Sequence, residues 1–266
     1  MCIRDSPCGV SPSLLRVGSV GPVGEHRDSA SAQARDWDDL ALVDPFWAVL
    51  AADDKRGGGW DPTEFFATGE ADIEQMLATA AQLERPALRE RALDFGCGVG
   101  RLTRALAGRF DEAIGVDVSE RMLEHARRLN ADKPNLTFAN GERPPSDPFD
   151  LVVANLVLQH LPSKALARVY IGRLIEATRP DGLVVFQLPT KLRLARRLQP
   201  RRRLYKPLRN RVGPHRLHAA GLHPVRLIAL PEADVRATVE RAGAAVAHTE
   251  DAAGAGLRYY VHHRSS

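Results

Sequence analysis

The chain has 266 residues, a mass of 29.1 kDa and a formal net charge of +4, and 44% of its residues are hydrophobic. These values are ordinary for a globular protein and fit one large domain, or one domain with appendages. The longest apolar run, about residues 151–158, is far shorter than the roughly 20 residues of a membrane helix, so no membrane partner is predicted.

The cysteines and the start of the chain indicate a compartment. Cys2, Cys8 and Cys97 form no disulfide framework, and the opening residues lack a basic start followed by an apolar core. A reducing cytoplasm is therefore the predicted location.

The first part of the chain divides into a tail and a helical region. Residues 1–30 are rich in Ser, Gly and Pro without periodicity, which predicts a disordered tail, and the opening MCIRDS resembles translated adapter sequence rather than native protein. Residues 31–90 are predicted to form an N-terminal helical lid, with a helical pair in 37–50 broken at Asp44-Pro45. A helical spacing of apolar residues follows in this lid, at Ile73, Met76, Leu77 and Ala80.

From residue 91 onwards, strand and helix patterns alternate. This alternation predicts a doubly wound α/β fold, with a mostly parallel sheet of about seven strands whose last strand is antiparallel. The predicted strands are 92–96, 112–117, 136–139, 151–154, 183–188, 244–248 and 257–262. The predicted helices are 102–108, 120–130, 163–178 and 232–242, with Ser119 and Ser163 as N-caps.

Three segments make up this second part of the chain. Residues 91–190 are the predicted cofactor-binding core, residues 191–224 a basic insert, and residues 225–266 the helix and strands that complete the core. In the last strand, Tyr259 and Tyr260 alternate, so one is expected to face the core and the other the acceptor cleft.

A glycine-rich turn after the first core strand predicts a nucleotide-binding loop. Gly96, Gly98 and Gly100 let the backbone turn tightly and approach a ligand, and the helix that follows offers free N–H groups. A dinucleotide fingerprint needs its third glycine at position 101, where this chain has Arg101, and no Gly-Lys-Ser/Thr follows for a phosphate loop. The spacing instead fits D/E-x-G-x-G-x-G, beginning at Asp94.

An acid at the end of the next strand completes this pattern. The Asp117 carboxylate can accept hydrogen bonds from both hydroxyls of a ribose. Dinucleotide-binding folds use such an acid as well, so Asp117 alone does not identify the nucleotide.

Several motifs in order carry a resemblance to a known family. They read LDFGCGVGRLTRALA, GVDVSERMLEHAR, FDLVVANLVLQHLP and LIEATRPDGLVVFQLP. With these motifs, residues 65–262 resemble the class I S-adenosylmethionine-dependent methyltransferases. The resemblance implies S-adenosylmethionine as the cofactor.

The resemblance also implies roles for individual residues. The glycine turn would lie against the methionyl part of the cofactor, and Asp117 would bind its ribose. Val118 and Met122 would flank the adenine. The residues of the turn are Asp94, Phe95, Gly96, Cys97, Gly98 and Gly100.

The remaining cofactor contacts come from three places. Glu142, with the backbone N–H of Arg143, would receive the adenine amino group, and Asn140 is the alternative. Asn155 and Leu156, after the fourth strand, would pass close to the sulfonium. In the lid, the residues expected to touch the cofactor carboxylate are Thr68 and Gly69, unless this segment only fills the core.

The acceptor side is less defined. His160 is the candidate general base, with a structural role in the turn as the alternative. The fourth strand ends on Asn155-Leu-Val-Leu rather than Asn-Pro-Pro-Tyr/Phe, which argues against methylation of a base amine or a glutamine amide. No extra carboxylates lie around this strand, so no metal is predicted.

The basic insert concentrates the positive charge of the chain. Residues 191–216 contain eleven Lys/Arg and no Asp/Glu, which indicates either an anionic acceptor or a solvated loop or amphipathic helix. Tyr205 is the one aromatic residue among these charges, so a stacking platform for nucleic acid has little support. The histidines interpreted as surface residues are His215, His218 and His223.

The sequence thus predicts an S-adenosylmethionine-dependent methyltransferase acting on a small molecule, which is anionic if the basic insert binds it, with the acceptor atom, O or N, left open. Three alternatives remain: an RNA methyltransferase that uses the basic insert, a protein that binds the cofactor without catalysis, and a nicotinamide oxidoreductase, which Arg101 disfavours.

Overall fold

A computed structural model describes residues 24–252 and 256–264, with side chains from residue 32 onwards except at residue 195. Seven strands in these residues form one sheet in the order β3-β2-β1-β4-β5-β7-β6. Their bounds are β1 Arg91–Phe95, β2 Glu112–Asp117, β3 Leu136–Asn140, β4 Phe149–Ala154, β5 Thr178–Leu188, β6 Ala244–Asp251 and β7 Leu257–His263.

Strands β1 to β5 are parallel to their neighbours, whereas β7 runs antiparallel to both β5 and β6. The fold class predicted from the alternation is therefore confirmed. Because the strand order reverses between β1 and β4, the crevice for a ligand lies at the carboxyl ends of these strands.

Helices cover both faces of the sheet and lie across its carboxyl edge. They are α1 Gly24–Val43, α2 Pro45–Val49, α3 Pro62–Gln82, α4 Arg101–Ala107, α5 Glu120–Leu129, α6 Lys164–Glu176, α7 Leu194–Leu198, α8 Pro200–Val212, α9 Pro214–Ala219 and α10 Glu232–Arg241, with short 3-10 turns at Asp53–Lys55 and Leu158–His160. The side chains of Ser119 and Ser163 accept hydrogen bonds from the N–H groups of Met122 and Leu166, which confirms both predicted N-caps.

The core has one layer on each side of the sheet. The apolar residues that predicted helix α3, Ile73 to Ala80, pack on one face of the sheet. Ala92 and Tyr260 are buried in the same layer. Helices α6 and α10 pack on the opposite face with Phe95 and Tyr259. Both tyrosines are fully buried, so the expectation that one of them faces the acceptor cleft is wrong: alternate residues of β7 point into the two core layers.

The expectation for the first residues is corrected, and the structure decides between the alternatives for the basic insert. Helix α1 begins at Gly24, so residues 24–30 of the predicted disordered tail are helical, while residues 1–23 lie outside the described residues. The basic insert is helical, as α7, α8 and α9, which agrees with the helical alternative, and α8 docks on α1. Tyr205 Oη donates to Asp39 Oδ2 at 2.8 Å, and the Arg209 guanidinium pairs with the same carboxylate. The division of the chain into five segments stays a prediction.

Helices α1 and α2 lie over the carboxyl ends of β1 and β2. Ser119 Oγ donates to Asp38 Oδ1 at 2.6 Å, which ties α1 to the start of α5. Val49 of α2 packs against the glycine-rich turn, where a Cβ at Gly98 would lie 2.5 Å from its Cγ2. The N-terminal helices therefore cover the crevice in which a cofactor is expected.

Candidate functional site

The glycine-rich turn crosses from the end of β1 to the end of β2. The N–H groups of Gly96 and Cys97 both donate to Val116 O, at 2.7 and 3.1 Å. Gly96, Gly98 and Gly100 all have positive φ, of 77°, 54° and 83°, a region that side chains other than glycine rarely adopt. The turn is therefore a backbone feature that depends on glycine.

Asp117 is fixed at this turn by two backbone donors. Gly98 N–H donates to its Oδ2 and Ser119 N–H to its Oδ1, both at 2.9 Å. Burial raises the pKa of Asp117, and these hydrogen bonds act in the opposite direction. A carboxylate has about four lone-pair positions, so both oxygens keep acceptor capacity for a ligand.

Asp94 lies below the turn and ties it to α4. Its Oδ2 accepts a hydrogen bond from Thr103 Oγ1 at 2.7 Å, and burial raises the pKa of Asp94 to about 6. Because this carboxylate already holds the first helical turn, its direct effect is on the shape of the loop. Its role toward the cofactor stays a prediction.

The other residues of the turn are packed against the protein core, at their side chains or, for glycine, at the Cβ position. Phe95 is buried in the core beside Tyr170, with ring centroids 5.4 Å apart. A Cβ at Gly100 would lie 2.8 Å from both Asn130 Nδ2 and Phe138 Cζ. The Cys97 thiol is buried, and burial raises its pKa. Only backbone atoms of this turn are thus expected to face a ligand.

The expected adenine contacts lie at the ends of β2 and β3. Met122 is buried in a cluster that also contains Val99 of the turn, while Val118 is half-buried. Asn140 donates from Nδ2 to Val118 O at 3.2 Å, whereas the Glu142 side chain is exposed and its backbone O accepts from Tyr170 Oη. Arg143 follows in the same loop, and the choice between Asn140 and Glu142 stays open.

The end of β4 presents an unusual turn and a buried acceptor. Leu156 has a positive φ of 59°, which is strained for a residue with a Cβ. The turn places Val157 against Gly96, where a Cβ would lie 2.4 Å from Val157 Cγ2. Within the described residues, Asn155 Oδ1 is buried and accepts no hydrogen bond. A buried, unpaired acceptor beside the glycine turn is suited to a ligand's N–H or O–H donor.

Thr68 and Gly69 are engaged in helix packing. Thr68 Oγ1 donates to Phe65 O at 2.6 Å and accepts from Arg101 Nη1 at 3.1 Å. A Cβ at Gly69 would lie 2.4 Å from Arg101 O, so glycine is needed where α3 crosses α4. Arg101 itself is buried and pairs with Asp72 at 2.8 Å. These contacts account for both residues, and their contact with a cofactor carboxylate stays a prediction.

His160 is held as a neutral imidazole. Its Nδ1 lies 2.6 Å from Arg226 O, and because a carbonyl can only accept, Nδ1 carries the proton. Its Nε2 then accepts from Gln159 Nε2 at 3.3 Å. Burial lowers the pKa of His160 to about 4. This arrangement favours the structural alternative over a general base at neutral pH.

The structure brings together charges that the sequence pattern did not connect. Asp36 and Trp37 of α1, Arg202 and Lys206 of α8, and Arg226 line a cavity of about 200 Å³ with His160. Asp36 and Trp37 came from the predicted lid and Arg226 from beyond the insert. The density of Lys/Arg in 191–216 is the one sequence signal that could have located this cavity.

One histidine of the insert is not a surface residue. His218 is buried, with its ring centroid 5.0 Å from that of Trp47, and its Nε2 accepts from Arg56 Nε at 3.5 Å. His223 is half-buried, and burial lowers its pKa to about 4, while His215 is exposed. The interpretation of all three as surface residues is wrong for His218, because α9 packs on α1 and α2.

Two searches cover only residues 24–252 and 256–264. No helix there combines the length and apolar character needed to cross a bilayer. No group of three or more His, Cys, Asp or Glu side chains there is arranged to hold a metal ion.

Comparisons with known proteins agree with this geometry. Residues 66–224 match the family described as "Methyltransferase domain". The trans-aconitate 2-methyltransferase of Methylobacterium radiotolerans is 38% identical over 141 residues, which cover 50% of each chain. A malonyl-[acyl-carrier protein] O-methyltransferase of Halalkalibacterium halodurans is 36% identical over 105 residues, 35% of this chain and 37% of that protein. The chain thus spans about half the length, or less, of these curated relatives.

The solved structures support the fold. The magnesium protoporphyrin IX methyltransferase of Synechocystis, crystallised with bound SAH, has a TM-score of 0.57 at 20% identity and covers 87% of this chain and 97% of that one. A SAM-dependent methyltransferase of Leishmania major has a TM-score of 0.56 at 19% identity, over 87% and 82% of the chains. The predicted class I methyltransferase fold is therefore confirmed.

Proposed function

This chain belongs to the methyltransferase-domain family, and we propose that it transfers a methyl group from S-adenosylmethionine to a carboxylate of a small-molecule acceptor. One observation carries the cofactor part of the proposal. The Asp117 carboxylate is fixed by Gly98 N–H and Ser119 N–H at the carboxyl end of β2, next to a glycine turn that leaves no space for side chains.

The residues present fit the cofactor in three respects. Asp117 keeps acceptor capacity for two ribose hydroxyls. The positive φ angles of Gly96 and Gly98 give the turn the tight shape that lets a backbone approach a ligand closely. Asn155 Oδ1, without a partner in the described part of the chain, can accept from the cofactor's ammonium group. The expected apolar flanks of the adenine are Val118 and Met122.

When bound, S-adenosylmethionine supplies an electrophilic methyl group, and the electron pair of its carbon–sulfur bond returns to sulfur as a nucleophile takes the methyl. The protein's part is to orient the acceptor and to exclude water. Helix α2 covers the glycine turn through Val49, and α1 is tied to the start of α5 through Asp38, which suits both tasks.

The state of His160 and the acceptors of the relatives support a carboxylate as the acceptor class. His160 is neutral, donates from Nδ1 and has its Nε2 occupied, so it is poorly placed to remove a proton. A carboxylic acid is already deprotonated at neutral pH and needs no base. The acceptors named for the relatives, trans-aconitate and malonyl-[acyl-carrier protein], are also carboxylic acids, which supports O-methylation.

An RNA acceptor has less support. Tyr205, the aromatic residue among the charges of the insert, is buried and donates to Asp39. It is therefore not available to stack on a base.

The buried Cys97 thiol fits the proposed cytoplasmic location.

Incubation of the protein with methyl-labelled S-adenosylmethionine and a cell extract tests the function. We expect label in the small-molecule fraction, in a product that mild base converts to labelled methanol, as a methyl ester requires. Label in RNA, in a base-stable product or in no product would contradict the proposal. Binding of NADH in place of S-adenosylmethionine would revive the oxidoreductase alternative.

A further inference from the structure

The cavity lined by α1, α8 and residues 224–226, hereafter the cationic cavity, carries more positive charge than the protein neutralises. Its lining includes the side chains of Arg202, Lys206 and Arg226, and Asp36 is the one carboxylate among the lining residues. The nearest atoms of Arg202 and Asp36 are 3.9 Å apart, a weak pairing. Three cations therefore face one carboxylate across about 200 Å³.

The two arginines are fixed in this position by backbone carbonyls. Arg202 Nε donates to Pro224 O at 3.0 Å, and Arg226 Nη1 donates to Pro162 O at 2.5 Å. A carbonyl is uncharged, so these hydrogen bonds orient the guanidinium groups and leave their positive charge unneutralised.

Mutual repulsion accompanies this arrangement. Burial lowers the pKa of Arg202, and the nearby Arg226 lowers it further. Burial likewise lowers the pKa of Lys206, and the positive charge of Arg202 lowers it further. Like charges held together in a partly buried site cost free energy, which a bound anion would recover.

The cationic cavity adjoins the cofactor crevice without being part of it. Trp37 lines the cavity and also packs against the cluster that contains Val99 and Met122, over the glycine turn. Its ring centroid lies 5.3 Å from that of His160, edge to face. Trp37 thus contacts both the cavity and the cluster over the glycine turn, with His160 beside it after the end of β4.

We propose that the cationic cavity binds a second, non-reacting carboxylate of the methyl acceptor. The inference rests on the proposed function and narrows it, because a carboxylate held by Arg202, Lys206 and Arg226 is not the carboxylate methylated beside Asn155. The acceptor then carries at least two carboxylates, and the product is a monomethyl ester that keeps one negative charge in the cavity. Arg202, Lys206 and Arg226 determine specificity, and none of them touches the reacting atoms.

Calorimetric titration of the SAH-bound protein tests this proposal, with citrate and malonate as polycarboxylate probes and with acetate and inorganic phosphate for comparison. The test variants are Lys206→Met and Arg202→Met. Lys206 is exposed and Arg203, its neighbour on α8, is exposed outside the cavity lining, so Arg203→Met is the matched control.

We expect citrate or malonate to bind the unmodified protein and each cavity variant to bind about tenfold more weakly, which corresponds to about 1.4 kcal/mol. Arg203→Met is expected to match the unmodified protein. Equal loss in Arg203→Met and Lys206→Met, binding of phosphate without carboxylates, or no carboxylate binding at about 10 mM would overturn the proposal. SAH binding separates the two claims: its loss in the unmodified protein contradicts the proposed function, whereas intact SAH binding without carboxylate binding contradicts only this inference.

Discussion

The cofactor side and the acceptor side of the site differ in the sequence separation of the residues that contact each other. The hydrogen bond between Gly98 and Asp117 joins residues 19 positions apart, within one strand–turn–helix–strand unit. The acceptor side joins His160 to Arg226, 66 positions apart, and Asp39 to Tyr205, 166 positions apart. A turn formed by residues close in sequence has a recognisable residue spacing. A cavity formed by four distant segments has no such pattern.

The largest expected effect is a loss of cofactor affinity, caused by a change in the glycine turn alone. In Gly98→Arg, the backbone must keep a φ of 54° and the side chain meets Val49, so we expect cofactor affinity to fall by more than about 100-fold. Calorimetric titration of SAH measures this loss, and thermal unfolding checks that the variant is folded.

Gly172→Arg is the matched control. Gly172 lies in α6 and, apart from its chain neighbours and its own helix backbone, no atom is within 4 Å of its Cβ position, so SAH affinity should be unchanged. Comparable affinity losses in the two variants would show that the glycine turn has no special role.

A smaller effect is expected when the insert is detached from α1. Asp39→Ala leaves Tyr205 Oη and the Arg209 guanidinium without their carboxylate, and the free energy of unfolding should fall by about 1–3 kcal/mol. Urea denaturation measures the change, and Tyr205→Phe, which removes one of these hydrogen bonds, should lose about 1 kcal/mol.

The same variant sharpens the comparison between the two sides. Since Asp39 contacts the insert and not the glycine turn, SAH affinity should stay within about twofold in Asp39→Ala, while the acceptor KM rises. A parallel fall in SAH affinity would mean that the two sides are coupled and not separable.

The smallest expected effect concerns pH. The pKa of His160 is about 4 in the folded protein, below its ordinary value of 6.5, so the unfolded chain binds more protons between these values. The stability contributed by neutral His160 is full above pH 6.5 and is lost as the pH falls toward 4. His160→Gln should therefore reduce the change in unfolding free energy between pH 6.5 and about pH 5 by about 1–2 kcal/mol.

His215→Gln, on the exposed part of α9, is the control for that measurement and should leave the pH dependence unchanged. Methyl transfer should also be nearly independent of pH from 6.5 to 8, because a carboxylate acceptor and a neutral His160 do not titrate there. A rate that rises with an apparent pKa near 7 and loses this dependence in His160→Gln would restore His160 as a general base.

Most of the sheet could be predicted from sequence, for reasons visible in particular residues. The strands β1, β2 and β4 are short apolar runs that end at the turns of Gly96, Asp117 and Asn155, and Ser119 and Ser163 act as N-caps as their positions indicate. Each of these signals is local, so neighbouring residues suffice to read it.

The failures share a cause, since each involves burial that only the folded chain supplies. Tyr260 is buried because helices cover both faces of the sheet, and His218 because α9 packs on Trp47. The convergence of Asp36, Arg202 and Arg226 likewise exists only after α1 and α8 dock.

The most direct test of the account compares SAH binding in Asp117→Asn and Lys206→Met. Asn at 117 replaces one acceptor oxygen with an N–H₂ group that faces backbone donors, so we predict at least about a tenfold loss of SAH affinity there. Lys206→Met should bind SAH like the unmodified protein and lose affinity only for carboxylates. Unchanged SAH affinity in Asp117→Asn, with the variant folded, would contradict the assignment of the cofactor site.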